Sequence, residues 1–344
     1  MIAFALLGAI DRIFGSKLGI GAEFEKGVMM FGTITLAMAG MLVLSPLFAH
    51  LLEGVSGSFP KFLDFSIIPA SLLANDMGGA HLSSALCTDE GMGAFNGLIV
   101  SSMMGATVSF TIPYALSATK KEHHPNVLFG ILCGIATIPF GCLVAGIMAG
   151  VPFLALIIDL VPLIVLAGLI CIGLLKFKDV TVKIFTGLGW VIKLIITVGF
   201  VIGAVQFLTG KNFVPYTDSF ENIVGVLMNI MCIMTGAFPL LFLLKKALSR
   251  PLSKLGDRVG LNRDSVFGFI STLGTTVTTF DAVDKMDKKG VVLNSAFAVS
   301  AAFVFVDHFA FTMSYNETYV LPMIAGKLIS GVFAVALAAL IYKK

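Results

Sequence analysis

Eight stretches of this chain, at about 27–50, 91–116, 126–150, 152–175, 181–208, 220–244, 291–313 and 319–342, are apolar over enough length to cross a bilayer. A helix needs about 20 such residues to span the hydrocarbon. A soluble fold of 344 residues has no core in which to hide eight of them. The charge content agrees, since 12% of the residues are charged against roughly 25% in soluble domains. The 36 glycines suit closely packed membrane helices. The expected class is an all-α polytopic protein of the cell (inner) membrane.

Two weaker segments, 62–86 and 264–284, carry Gly, Ser and Thr with polar residues at their middle. They are either full spans or hairpins that enter the membrane and return on the same side. Positive charge discriminates between these. With both as re-entrant hairpins, eight spans and a cytoplasmic N-terminus, nineteen Lys and Arg fall inside and two, Lys61 and Lys211, outside. Lys193 and Lys327 fall within spans. A ten-span arrangement divides the same residues twelve against nine. The positive-inside rule therefore favours about eight transmembrane helices plus two re-entrant hairpins, with both termini cytoplasmic and with Lys343 and Lys344 inside.

The chain also aligns with itself. Residues 23–52 match 219–248, with Phe-Glu heading both and Met38-Ala-Gly40 facing Met234-Thr-Gly236. Further on, Asn96 faces Asn294 and Ser102 faces Ser300. Five spans separate the copies, so the second is expected to be inverted relative to the first, an arrangement found in secondary transporters. The expected division is an interfacial segment at 1–22, a first repeat at 23–116 with hairpin 62–86, middle helices at 117–215, and a second repeat at 216–344 with hairpin 264–284.

Polar residues inside such segments need protein or water around them. An acid at a helix centre in lipid costs roughly 2.5–3.5 kcal/mol, so Asp76, Asp281 and Asp307 together would cost about 9 kcal/mol if they faced lipid. Asn75-Asp76 sits at the middle of the first weak segment and Thr275-Thr276 at the middle of the second, where a reversing backbone frees polar groups. Asp307 and His308 follow Asn294 along one expected span, and that imidazole is placed to titrate near neutral pH or to form a structural pair. Asp159 and Lys193 of the middle spans are expected to pair. The five cysteines show no CxxC spacing and read as buried apolar side chains, with no metal site or disulfide framework. No nucleotide-binding glycine loop, HExxH or GxSxG is present, so no enzyme is indicated.

The runs Ser71-Leu-Leu-Ala-Asn-Asp-Met-Gly-Gly79 and Gly290-Val-Val-Leu-Asn-Ser-Ala-Phe-Ala-Val-Ser-Ala-Ala-Phe-Val-Phe-Val-Asp-His308 resemble the ethanolamine permeases of the bacterial ethanolamine-utilisation system, the EutH family. The likeness extends from GAEFEKG to the last helix. It departs at the second tip, where Thr275-Thr276 replaces an Asn-Ser pair. Membership implies uptake of ethanolamine in its protonated form. Asp76, Asp281 and Asp307 then supply partners for its ammonium, with His308 beside Asp307; Asn75, Asn96, Asn294, Thr275 and Thr276 supply partners for its hydroxyl. Expected partners are this solute and membrane lipids, with no cofactor, metal or nucleic acid; a homo-oligomer is compatible with the sequence. The residues alone equally fit a carrier of another small polar or cationic solute, such as a nucleoside or amino acid, or a passive channel.

Overall fold

The computed structural model describes residues 1–60 and 62–342. Lys61, Lys343 and Lys344, which the charge count assigned to sides, lie outside the described residues. Helix α1 (Ile2–Ile13) ends in a tight turn whose Asp11 accepts hydrogen bonds from the Leu18 and Gly21 amides, at 3.0 and 2.8 Å. The second of these satisfies a free donor in the first turn of α2 (Ile20–Ser56). Ile2, Leu6, Ile10 and Ile13 of α1 stay exposed, an apolar face beside the bundle.

Two short helices follow, α3 (Ile67–Leu72) and α4 (Gly79–Leu86), joined through a 3₁₀ turn at Asn75–Met77. They fold back on each other, with Ser83 donating to the Ser66 carbonyl at their base. Helix α5 (Glu90–Ala118) then runs through the centre of the molecule, its Leu98–Met104 stretch wholly buried. It is wound wider than an α-helix over Asn96–Gly105 and Thr107–Thr111, a π-helical geometry associated with functional sites.

Helices α6 (His124–Met148), α7 (Phe153–Lys176) and α8 (Lys178–Thr209) form the middle of the chain. α7 and α8 expose Ile164, Val165, Leu169, Ile172, Ile184, Trp190, Leu194 and Val198. So large an apolar surface is stable in lipid and not in water. α8 crosses α2 where Gly40 and Gly199 meet; a Cβ on either would collide with the other helix's backbone. The Asp159–Lys193 pair is not formed. Asp159 is buried in α7 with neither carboxylate oxygen hydrogen-bonded among the described residues, whereas Lys193 lies on the exposed face of α8.

Helix α9 (Phe220–Val259) is longer than its apolar run. The expected span ends near residue 244, but the helix continues through Lys245, Lys246, Arg250, Lys254 and Arg258, none of which breaks a helix. A second pair of short helices, α10 (Arg263–Thr272) and α11 (Val277–Asp281), reverses between Leu273 and Thr276. Thr279 bridges the arms, bonding the Gly268 carbonyl at 3.2 Å and the Thr272 hydroxyl at 2.9 Å.

The expected continuous span 291–313 is broken. α12 (Lys288–Ala301) stops, residues 302–306 unwind, and α13 (Asp307–Tyr315) resumes, before α14 (Val320–Ile341) closes the chain. Among the described residues, seven helices are thus long and apolar enough to cross a membrane, and the eighth expected span is split.

Both hairpins are clasped at their bases by an aspartate. Asp64 accepts from the Ser66, Thr88 and Asp89 amides and the Thr88 hydroxyl; Asp287 accepts from the Asn262 and Gly290 amides and the Ser265 hydroxyl. Burial works to raise the Asp287 carboxyl pKa, but the bonds from Asn262, Ser265 and Gly290 outweigh it and hold it low. Asn96 and Asn294, aligned in the sequence, each bond the first arm of the adjacent hairpin. Asn96 donates to Ser66 Oγ at 3.0 Å and Asn294 to the Ser265 carbonyl at 2.8 Å.

Candidate functional site

The tips of the hairpins and the broken helix converge beside α2 and α5, and a cavity of about 230 Å³ lies between them. It is smaller than the ~300–1,000 Å³ of sites for drug-sized ligands. Asp76 and Met77 come from the first tip, Thr275 and Val277 from the second, and Phe303, Asp307 and His308 from the break. Helix α2 adds Met30, Thr33 and Met38, and α5 adds Ala106 and Phe110. Thr33 and Ala37 are exposed at the rim.

Backbone groups freed at the tips find partners across the site. The Phe303 and Phe305 amides donate to the Thr272 and Leu273 carbonyls at 3.1 and 3.0 Å, so the unwound strand and the second tip satisfy each other. At the first tip, Ser109 Oγ accepts from the Ala74 amide at 3.2 Å and the Ser101 hydroxyl donates to the Leu73 carbonyl. Phe303 holds φ at +62°, a left-handed conformation unfavourable for a bulky residue, which marks local strain at the cavity wall. Gly78, at φ +96°, turns the first tip into α4.

The break sets the electrostatics. It ends α12 towards the cavity with the negative end of a helix dipole, which favours a cation. Asp307 lies in the first turn of α13, where the opposite dipole end favours its carboxylate. Asp307 Oδ1 is buried with no hydrogen-bond partner among the described residues. The His308 ring is buried, with Nε2 4.0 Å from Asp76 Oδ1 and Nδ1 3.0 Å from Lys327 Nζ. Phe110 and Phe303 pack edge to face at 5.6 Å and give the cavity an aromatic wall.

Of the residues singled out from the sequence, Asp76, Thr275, Asp307 and His308 therefore line one cavity. Asn75 and Thr276 are buried beside it in the two tips, with side-chain atoms lacking partners among the described residues. Asn96 and Asn294 lie at the hairpin bases instead, where their bonds join helices. Asp281 also lies away from the cavity. It is exposed, and its Oδ1 accepts from the Tyr114 hydroxyl at 2.8 Å. Sequence reasoning missed Lys327, although a lysine inside an apolar span was a signal of the same kind as the acids. It also missed Met30, Thr33, Phe110 and Phe303, which nothing distinguishes from packing residues until the fold is known.

Apolar helices with lipid-ready faces, packed around a small acidic cavity, define a multi-pass protein of the inner membrane. The chain belongs to the ethanolamine utilisation protein family EutH, whose family model matches residues 1–341. A probable ethanolamine permease EutH of Listeria monocytogenes is 41% identical over 98% of this chain and 91% of its own length. Its namesake in Salmonella typhimurium is 33% identical over 100% of this chain and 94% of its own length. The uncharacterized protein YxeR of Bacillus subtilis is 32% identical over 98% and 92%. No solved structure matches the chain.

Proposed function

We propose that this protein is a membrane transporter that takes up ethanolamine as its ammonium form, binding it between the hairpin tips and moving it by alternating access. The observation that carries this reading is the buried Oδ1 of Asp307, without a hydrogen-bond partner among the described residues, in a cavity that Asp76 also lines. A carboxylate shielded from water demands a cation or a proton. The cavity suits a two-carbon amino alcohol. Its ammonium meets Asp307 and Asp76 with the Phe110 and Phe303 rings nearby, its hydroxyl meets Thr275 or Thr33, and its methylenes meet Met30 and Met38. The names of the relatives support the same cargo.

In this reading the α3–α4 and α10–α11 hairpins are re-entrant, α12 and α13 together form the eighth crossing, and both termini are cytoplasmic. The repeats are inverted. The matching bonds of Asn96 and Asn294 to the two hairpins support that arrangement. So do the ties beyond the cavity. Tyr114 at the end of α5 bonds Asp281 of the second hairpin, and Tyr315 at the end of α13 bonds Ser84 of the first at 2.8 Å. Opening one side and closing the other would exchange these ties.

Uptake of labelled ethanolamine into proteoliposomes tests the proposal. It should saturate, with ethylamine competing weakly and ethylene glycol more weakly still. Uptake that does not saturate, or equal competition by all three, contradicts it. Conversion of ethanolamine by the purified protein without transport would make it an intramembrane enzyme instead.

A further inference from the structure

Lys327 is fully buried on α14, its ammonium directed away from lipid. It donates to the Ser102 carbonyl on the widened helix α5 and lies 3.0 Å from His308 Nδ1. An ammonium has donors and no acceptor. With Lys327 charged, His308 Nδ1 offers its lone pair, which leaves the ring proton on Nε2, the nitrogen that faces Asp76 Oδ1 at 4.0 Å. A buried lysine, a neutral imidazole and a cavity-wall carboxylate thus stand in a line. Cys142 of α6 is a further titratable group near Lys327; Lys26 of α2, exposed at the surface, and Asp76 are those acting on Asp307.

The charges set a constraint. With Lys327 charged and His308 neutral, Asp76 and Asp307 leave the buried site one negative charge in excess. One ammonium cargo cancels it. When the cargo leaves, an uncompensated charge inside the membrane is costly, and a proton is the available replacement. Asp76 is the acid placed to take it, because its Oδ1 faces His308 Nε2 at 4.0 Å, and a small approach would let the ring N–H donate to the carbonyl oxygen of the protonated acid.

We infer that Asp76, facing the Lys327–His308 pair, is a proton site whose occupancy alternates with that of the ammonium cargo. The empty transporter carries one proton on Asp76. Cargo entering from one side displaces that proton to the same side, and cargo leaving on the other side is replaced by a proton taken up there. Each ethanolammonium moved inward is then exchanged for one proton moved outward, with no net charge crossing. This inference rests on the proposed transport function.

The test is proton release on binding, measured with an indicator dye in weakly buffered detergent solution at pH 7, where ethanolamine arrives as a cation. The wild-type protein should release about one proton per ethanolamine bound. Binding without release overturns the inference and leaves transport standing; absence of binding overturns both. Asp76→Asn removes the proton site and makes the empty cavity neutral. It should bind about tenfold more weakly or worse and release no proton. Release that persists in Asp76→Asn would come from the ammonium itself and contradict the assignment. The double variant Asp76→Asn with Lys327→Met restores the single negative charge and should bind more tightly than Asp76→Asn alone. Equal or weaker binding would overturn the charge count.

Discussion

The Phe303 amide donates to the Thr272 carbonyl at 3.1 Å, joining the gap in one helix to the turn of a neighbouring hairpin. Neither segment could stand alone in a membrane, because each leaves backbone groups without partners. Together they are satisfied, and the pair builds one wall of the cavity. Phe303 keeps the arrangement in a left-handed conformation at φ +62°. Phe303→Gly and Phe303→Ala remove the same ring, but glycine adopts this conformation without strain. Phe303→Gly should therefore be the more stable of the two by about 1 kcal/mol, read as a higher thermal midpoint in detergent. An alanine variant of equal or greater stability would contradict the strained geometry.

The acids separate by position. Asp307→Asn removes a cavity carboxylate with a buried oxygen that has no partner among the described residues, whereas Asp281→Asn alters an exposed tie to Tyr114. Ethanolamine affinity should fall about tenfold or more in Asp307→Asn, as expected for loss of a charged hydrogen bond worth about 1.5–3 kcal/mol. Asp281→Asn should keep wild-type affinity in an equilibrium binding assay. If the two variants lose affinity equally, the cavity is not the binding site.

Cys87 reports which face the first hairpin returns to. It follows α4 directly and is half-buried. With the other four cysteines replaced by alanine, an impermeant maleimide should label it in intact cells and not in inside-out vesicles. The opposite pattern would remove the eight-crossing arrangement. Burial, and then the nearby Asp64 carboxylate, push this thiol's pKa above its usual value of 9.0. Since the thiolate is the reactive form, labelling should be slow at pH 7 and gain about tenfold per pH unit up to at least pH 9.

The crossing of α2 and α8 depends on Gly40 and Gly199, whose backbones leave no room for a side chain. Gly199→Ala should cost about 1–3 kcal/mol through displaced backbone. Gly187→Ala, on the same helix with open space around it, should not destabilise. Thermal unfolding monitored by size exclusion compares them, and equal midpoints would contradict the close crossing.

The long helices were legible because a bilayer demands length and apolarity together, and α2, α5, α6, α7, α8, α9 and α14 supply both. The gap at residues 302–306 was not. Ala302, Phe303, Val304, Phe305 and Val306 are as apolar as the helix before them, and what unwinds them is a partner some 30 residues away in sequence, the tip carbonyls of Thr272 and Leu273. Asn96 and Asn294 stood out as polar residues in greasy helices and were expected to meet the substrate's hydroxyl, but only the fold shows that their side chains face hairpin bases. The apolar span ends near residue 244, and hydropathy does not say how far its helix continues; Lys and Arg are good helix formers, and α9 runs on through the basic stretch. Asp76 and Asp307 lie far apart in the chain, and their cost in lipid was enough to place both against protein. Lys327 carried the same cost and should have been placed with them.

Counterflow of labelled ethanolamine in proteoliposomes tests most directly whether a carrier works at this cavity. Vesicles preloaded with unlabelled ethanolamine should take up the label faster than empty vesicles and transiently concentrate it, and Asp307→Asn should abolish both effects. Equal uptake by loaded and empty vesicles would contradict alternating access, and counterflow undiminished in Asp307→Asn would contradict the site.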